Sequence, residues 1–454
     1  MLTTITTVQA GRRLAEKILV ISVLGFTFLF SYQGVAQELT LLQAVEAAKN
    51  NDVWLGSNKL TQESIESESK VALILPDPKI SISASNFPTD TFDFNQEPMT
   101  QLNVGITQMF PRGETRSLSS RLTQELAGQY PHLRDARKLR VELIVSQLWL
   151  DAFKSDQTIQ IINADRSLFE QMVDFAEVSY SSASGIVRQQ DVVRAQLELT
   201  QLEDRLTKLN QELDLARKSL TEWLPADMVD QPLSNYLPQI PIQNPLLLSQ
   251  EGTANSKLPQ LILKHPALLA FDQKIKSSET GIDLARQKYK PEWGIAAKYG
   301  YRGHDLGGNE RADFLSLGIV FDMPLFNRAR QDSQVKAAAS KAAATKLDKE
   351  LVYRRMIASF QSSLSQLRNL NKRAELYNAK LLPQMHEQAE ASITAYNNDD
   401  GDFAEAIRAR IAELNAKIQA LIIGVEQQKQ IAQLNYLLGA DNMSIDQTNP
   451  LQEL

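Results

Sequence analysis

The chain has 454 residues, a formal net charge of −6 and 43% hydrophobic residues, a balance that fits a folded protein and argues against nucleic acid as a partner. It contains no cysteine, which excludes disulfides, thiolate metal sites, a cysteine nucleophile and a lipidated N-terminal Cys. Its four histidines, His132, His265, His304 and His386, lie far apart in sequence and read as isolated surface or packing residues, so neither a metal site nor a catalytic one is expected.

The N-terminus reads as an address. Arg12, Arg13 and Lys17 precede an apolar run from Ile18 to Phe30, and Gly34-Val35-Ala36 offers small residues for cleavage before Gln37. That pattern predicts a signal peptide over residues 1–36, since the run is shorter than the roughly 20 residues of a spanning helix. No later stretch is long and apolar enough to cross a bilayer as a helix.

The mature chain reads as two copies of one plan. A helical entry over Thr40–Leu75 ends at Pro76 and Pro78, and a second over Ala267–Tyr289 ends at Pro291. Alternating segments follow each stop: Lys79–Phe87 and Leu102–Phe110 in the first half, Ile295–Tyr301 and Leu315–Phe321 in the second. Period-two alternation over these lengths predicts strands with two different environments, Ser81, Ser83 and Ser85 on a wet side and the isoleucines on an apolar one. Polar loops, Pro88–Pro98 and Gly303–Arg311, separate the strands of each pair. Long helical arms come next. A continuous helix from His132 to Gly185 would reach roughly 80 Å at about 1.5 Å per residue. The return arms carry three-four seams, Val192, Ala195, Leu199, Leu202, Leu206 and onward, then Ile407, Ile411, Leu414, Ile418, Leu421 and Val425, which predict coiled-coil packing.

Residues 37–225 and 261–440 are therefore expected as two repeats, joined by a 226–260 equatorial linker and followed by a 441–454 tail. The fold class is mainly α with a small β portion: long antiparallel helical hairpins plus four strands. Four strands cannot close a barrel alone, but three protomers would supply twelve, continued by a helical tunnel. A soluble periplasmic coiled-coil adaptor would also explain the seams and the leader, though not paired strands at equivalent places in both halves.

The mature chain resembles the TolC family of outer-membrane factors, within it the heavy-metal efflux branch of CusC and CzcC. The residues that carry the resemblance are the junctions Met109-Phe110-Pro111-Arg112-Gly113 and Met323-Pro324-Leu325-Phe326-Asn327, and the hairpin tips from Tyr180 to Gly185 and from Tyr396 to Gly401. The missing lipidated Cys departs from many metal-efflux members. The resemblance implies a homotrimeric, cofactor-free, non-enzymatic exit duct in the outer membrane of a Gram-negative bacterium. It would work with a periplasmic adaptor and an inner-membrane RND pump, conducting small toxic solutes such as copper or silver cations or drugs. A protein-secretion duct fed by an ATP-driven pump is the alternative within the same fold. It further implies adaptor docking at Gly185, Ile186, Val187, Arg188, Gly401 and Phe403. A periplasmic gate is implied at Asp399, Asp400 and Asp402, with Arg408 and Arg410 as counter-charges.

Overall fold

A computed structural model describes residues 38–181, 188–243, 252–323, 328–398 and 402–439. The expected leader, the 441–454 tail and the tip residues Gly185, Ile186, Val187, Asp399, Asp400 and Gly401 lie outside the described residues. Among the described residues no helix is long and apolar enough to cross a membrane.

The first helical entry is two helices rather than one. Thr40 caps α1 (Leu41–Asn51) through a reciprocal pair with Gln43, the Thr40 hydroxyl accepting from the Gln43 backbone N–H. Asp52 then leaves the helical region, at ψ 97°, and its carboxylate accepts from the Trp54 N–H to start α2 (Val53–Ala72). The same carboxylate receives the Arg137 guanidinium at 2.8 Å, so one acidic residue both ends a helix and pins the next.

After the proline stop come β1 (Lys79–Ser85) and β2 (Gln101–Phe110), then α3 (Thr115–Ala127), α4 (Gln129–Ser181) and α5 (Gln189–Leu220). The long arm α4 runs 53 residues and starts before Pro131 rather than after it. A proline in the first turn costs no hydrogen bond, because the N–H it lacks would have no partner there. Short α6 (Ala226–Val229) and α7 (Gly252–Leu263) lead into α8 (Pro266–Arg286), β3 (Glu292–Tyr301) and β4 (Phe314–Asp322). The second arm is α9 (Ala329–Leu376), a π turn over Tyr377–Leu381, α10 (Leu382–Asn397) and the return helix α11 (Phe403–Leu437).

The four strands form one antiparallel sheet in the order β1-β2-β3-β4, so the halves join by pairing β2 with β3. The helices beside the sheet repeat that order, with α2 on α3, α3 on α8 and α8 on α9. At the other end α4, α5, α10 and α11 make the arms. Their seams bury Ile162, Phe169, Leu202, Leu206, Leu414 and Ile418 in one layer, as three-four spacing requires.

The largest core lies midway, where α1, α4 and α11 meet. Trp149 and Phe153 stack there at 5.4 Å, and the Trp149 indole N–H donates to the Leu39 carbonyl at 3.1 Å. Segment 239–243 is fixed on α11 by polar side chains. Fully buried Asn435 accepts from the Gln243 N–H at 3.2 Å and donates to the Pro241 carbonyl at 2.9 Å, and Gln428 accepts from the Ile240 N–H. His265 is a packing residue, fully buried. Burial pushes its imidazole below the ordinary histidine range, and its contact with the Tyr436 carbonyl offsets only part of that.

Replacing Asn435 with Leu keeps the volume but removes both hydrogen bonds that Asn435 makes to segment 239–243, at the Gln243 N–H and the Pro241 carbonyl. We expect a loss of about 2–3 kcal/mol, read as a lower denaturant midpoint of the helical circular dichroism in detergent. An unchanged midpoint would show that water serves those groups equally well.

Candidate functional site

Two places on the fold bear on function, the sheet at one end and the hairpin tips at the other. The sheet register sorts its side chains into two faces. Ile80, Ile82, Leu102, Val104, Ile106, Ile295, Ala297, Leu315, Leu317 and Ile319 share one face, because each pairs across the strands with another of the set or with an aromatic. Ile82 is 73% exposed and Leu317 76%, so a broad aliphatic surface lies open, with no helix over it among the described residues. Aromatic residues bound it at both ends. Tyr299, Tyr301 and Phe94 lie at the loop end, with Phe94 stacked 6.1 Å from Tyr301. At the helix end Phe110 stacks 4.3 Å from Trp293, which pairs with Phe321. An aliphatic band between two aromatic girdles is how a strand surface meets a bilayer. The girdles escaped the sequence reading because they become rows only once the register is known.

The opposite face carries Ser81, Ser83, Ser85, Asn103, Gly105, Thr107, Lys298 and Ser316. Ser81, Ser83 and Ser85 thus share the polar side, as their alternation predicts. At the helix end Arg112 closes the sheet, donating to the Lys290 carbonyl at 2.8 Å and pairing with Asp322. Next to it Gly113 has φ +45°, a conformation that favours glycine.

The hairpin tips end together. Ala176 of α4, Ala195 of α5, Tyr396 of α10 and Phe403, Ala406 and Ile407 of α11 form one buried cluster. Tyr396 packs 5.1 Å from Phe403 and edge-on to Phe175 at 5.6 Å. Phe403 is therefore core to the tip, 3% exposed. Arg188 opens α5: its backbone N–H donates to the Asp191 carboxylate at 3.0 Å, while its side chain is exposed. Asp402 is exposed and caps α11, one oxygen accepting from the Ala404 N–H at 3.1 Å.

The two candidate counter-charges differ. Arg408 is exposed and its Nε donates to the Ala404 carbonyl one turn back. Arg410 instead turns away from the tip to Glu413 at 2.5 Å and Glu390 at 3.2 Å. Glu413 is 2% exposed and also meets Lys417 at 3.3 Å and His386 at 2.9 Å. Lys417 reaches on to Asp165 of α4 at 3.6 Å. His386 is thus hydrogen-bonded to the carboxylate at the centre of this network rather than isolated. Burial pushes the Glu413 carboxyl up, but the hydrogen bonds from His386 and Arg410 and the charges of Lys417 and Arg410 outweigh it and hold the group below its ordinary value.

A carboxyl held low in the fold stabilises above its unfolded value and loses that contribution as pH falls through the folded one. Glu413→Gln should therefore weaken the arms at neutral pH. Its difference from wild type should shrink as pH drops below the ordinary glutamate range, followed by thermal melts across pH. A difference that stays constant down to strongly acidic pH would refute the role of this charge.

The sequence model of the outer membrane efflux protein family matches residues 258–440. A search of curated proteins by sequence returns no match. Among solved structures the fold is similar to CusC, at 13% identity and TM-score 0.71 over 90% of this chain and 96% of that one. It is equally similar to the CmeC outer membrane channel of Campylobacter jejuni, at 13% identity and TM-score 0.71 over 90% of this chain and 87% of the other. The outer membrane protein VceC of Vibrio cholerae matches at 12% identity and TM-score 0.71, over 88% and 96% respectively. The second half of the chain thus matches the outer membrane efflux protein family in sequence, and the described residues share the fold of solved outer-membrane channels.

Proposed function

We propose that three copies of this chain form the outer-membrane exit duct of a tripartite efflux assembly. The observation that carries this reading is a four-stranded sheet, apolar on one face and polar on the other, with the outer edges of β1 and β4 left unpaired among the described residues. In lipid an open edge leaves backbone N–H and C=O groups without partners, so the sheet must close. Three sheets of four make a twelve-stranded barrel, lipid outside and water inside. The soluble adaptor reading has no use for a girdled aliphatic sheet.

The arms then continue the lumen into the periplasm, and the tips meet the adaptor of an RND-type pump. Arg188 presents an exposed side chain there, while Phe403 acts by keeping the four helix ends together. Gly185, Ile186, Val187 and Gly401 complete the docking proposal. Asp402, with Asp399 and Asp400, would ring the narrow end. The cargo is small solutes, heavy-metal cations or drugs being the classes implied by the family resemblance.

Membrane extraction and mass-resolved chromatography of the mature protein should give a heat-labile trimer from the outer-membrane fraction, and a soluble periplasmic monomer would defeat the reading. Within that experiment neighbouring residues should behave oppositely. Leu317→Arg, on the apolar face, should cost about 2–4 kcal/mol and reduce the trimer, whereas Ser316→Arg should assemble normally. At the tip Asp402→Asn keeps the cap, since Asn caps as well as Asp, and removes the charge. It should lower cation preference in single-channel recordings with no loss of thermal stability. Unaltered ion preference would exclude Asp402 from the gate.

A further inference from the structure

The polar face of the sheet is not uniformly neutral, and its charges are placed unevenly. At the helix end Glu292 lies opposite Asp322, and Arg112 serves both, bonded to Asp322 and 3.8 Å from Glu292. At the loop end Arg302 donates to the Pro98 carbonyl at 2.7 Å and the Ala312 carbonyl at 3.3 Å, standing 4.4 Å over the Phe314 ring. Asp313, beside it, accepts from the Arg302 backbone N–H and from the Tyr299 hydroxyl on the other face. Between these rims the ionised side chains of the polar face are two lysines. One cross-strand row reads Lys79, Thr107, Ala296, Gly318, and the next reads Ser81, Gly105, Lys298, Ser316. Neither lysine has a carboxylate within salt-bridge distance among the described residues.

The wall is also cut back around Lys298. A Cβ on Gly105, its cross-strand partner, would lie 2.7 Å from the Ser81 Oγ and 3.9 Å from the Lys298 Cβ. Gly300 and Ala296 flank Lys298 on the same face of β3, so its stem has small neighbours on every side. An uncompensated ammonium in a row of serine and glycine does nothing for packing. It does set the potential of whatever space the face borders.

We infer that Lys79 and Lys298 line the barrel lumen with positive charge and make the outer-membrane section of the duct favour anionic solutes. This rests on the reading that the polar face is the lumen. Three copies bring six ammonium groups to adjacent levels of one pore. Rings of basic side chains select anions, and a low-dielectric wall focuses their field into the water. The acidic tip proposed above acts on cations at the other end, so the two sections of the duct prefer opposite signs. A free divalent metal ion meets a barrier in the barrel, whereas an organic anion does not.

The chain has no cysteine, so a single introduced thiol reports its own surroundings. Ser316→Cys places one across the strand from Lys298. Full-length protein in outer membranes is treated from outside with an anionic sulfonatoethyl and a cationic trimethylammonioethyl methanethiosulfonate. The two rates are divided and compared with the same ratio for a free thiol in solution. A unit charge about 7 Å away in water shifts a monovalent ion's local concentration roughly threefold before screening. The anion-to-cation ratio should therefore exceed that of the free thiol several-fold. It should fall about threefold or more in Lys298→Gln, fall again when Lys79→Gln is added, and collapse toward the free-thiol value in 1 M salt. A ratio at or below the free-thiol value, or one unmoved by Lys298→Gln in a variant that still gives the trimer, overturns the inference and leaves the duct reading intact. Leu317→Cys, on the other face, should react with neither reagent. If Leu317→Cys reacts while Ser316→Cys does not, the faces are reversed and both readings fall together.

Discussion

The rest of the fold depends on the backbone hydrogen bonds at the two edges of one sheet. β1 and β4 each pair on one side only. In the proposed duct, lipid around the aliphatic surface offers no water to pair the other side. The edge helices are placed to match. β1 follows α2 and β4 precedes α9, and these are the outer members of the helix row α2-α3-α8-α9. A neighbouring copy that pairs its β4 with β1 therefore brings its α9 against α2. Val53, Leu60 and Val71 on α2, and Leu347 and Leu351 on α9, are exposed in the single chain and stand ready for that contact. In the proposed trimer, closure of the strands and burial of these side chains would be one event.

The arms show how a long helix keeps its course through a proline. Pro383 has no N–H, and a strict α ladder would lose a bond and crowd the preceding turn. The chain widens to a π turn over Tyr377–Leu381 just before it, and the Leu382 N–H reaches back to the Tyr377 carbonyl. The extra residue lets α9 continue into α10 without a break, a usual role of π bulges. Beyond it, the Arg410–Glu390 ion pair and the His386–Glu413 hydrogen bond join α10 to α11, and Lys417 ties α11 to Asp165 of α4. Where the backbone is least regular, charged side chains hold the helices together.

The sequence showed most clearly what repeats at short period. Alternation placed all four strands to within a few residues, and three-four spacing marked the seams that bury Leu202, Leu206, Leu414 and Ile418. Features that depend on distant partners were hidden. Asp52 reads as one more acidic residue in a helical stretch until Arg137, far along the chain, is seen to bind it. His386 is remote from Glu413 in sequence, and only the antiparallel hairpin brings them to 2.9 Å. Arg410 was legible as a charge near the tip but not as a partner of Glu390 across that hairpin. The lysines of the sheet were visible as letters, but their common face follows only from the register of β1 with β2 and of β2 with β3.

The charges at the two ends of the molecule also differ in kind. Asp402 is a helix cap: its carboxylate accepts from the Ala404 N–H at the start of α11. The positive end of the helix dipole stands next to it and cancels part of its field. Its position is also fixed by the first turn, so the charge cannot move without unwinding the helix. Lys298 has no such offset among the described residues, and its long stem rises from a row cut back by Gly105. An ammonium with no carboxylate partner projects more field per residue than a carboxylate engaged in capping. In a duct built from three such chains the barrel would then weigh more on charged cargo than Asp402 does, although an aspartate at a constriction is the more familiar sign of selectivity.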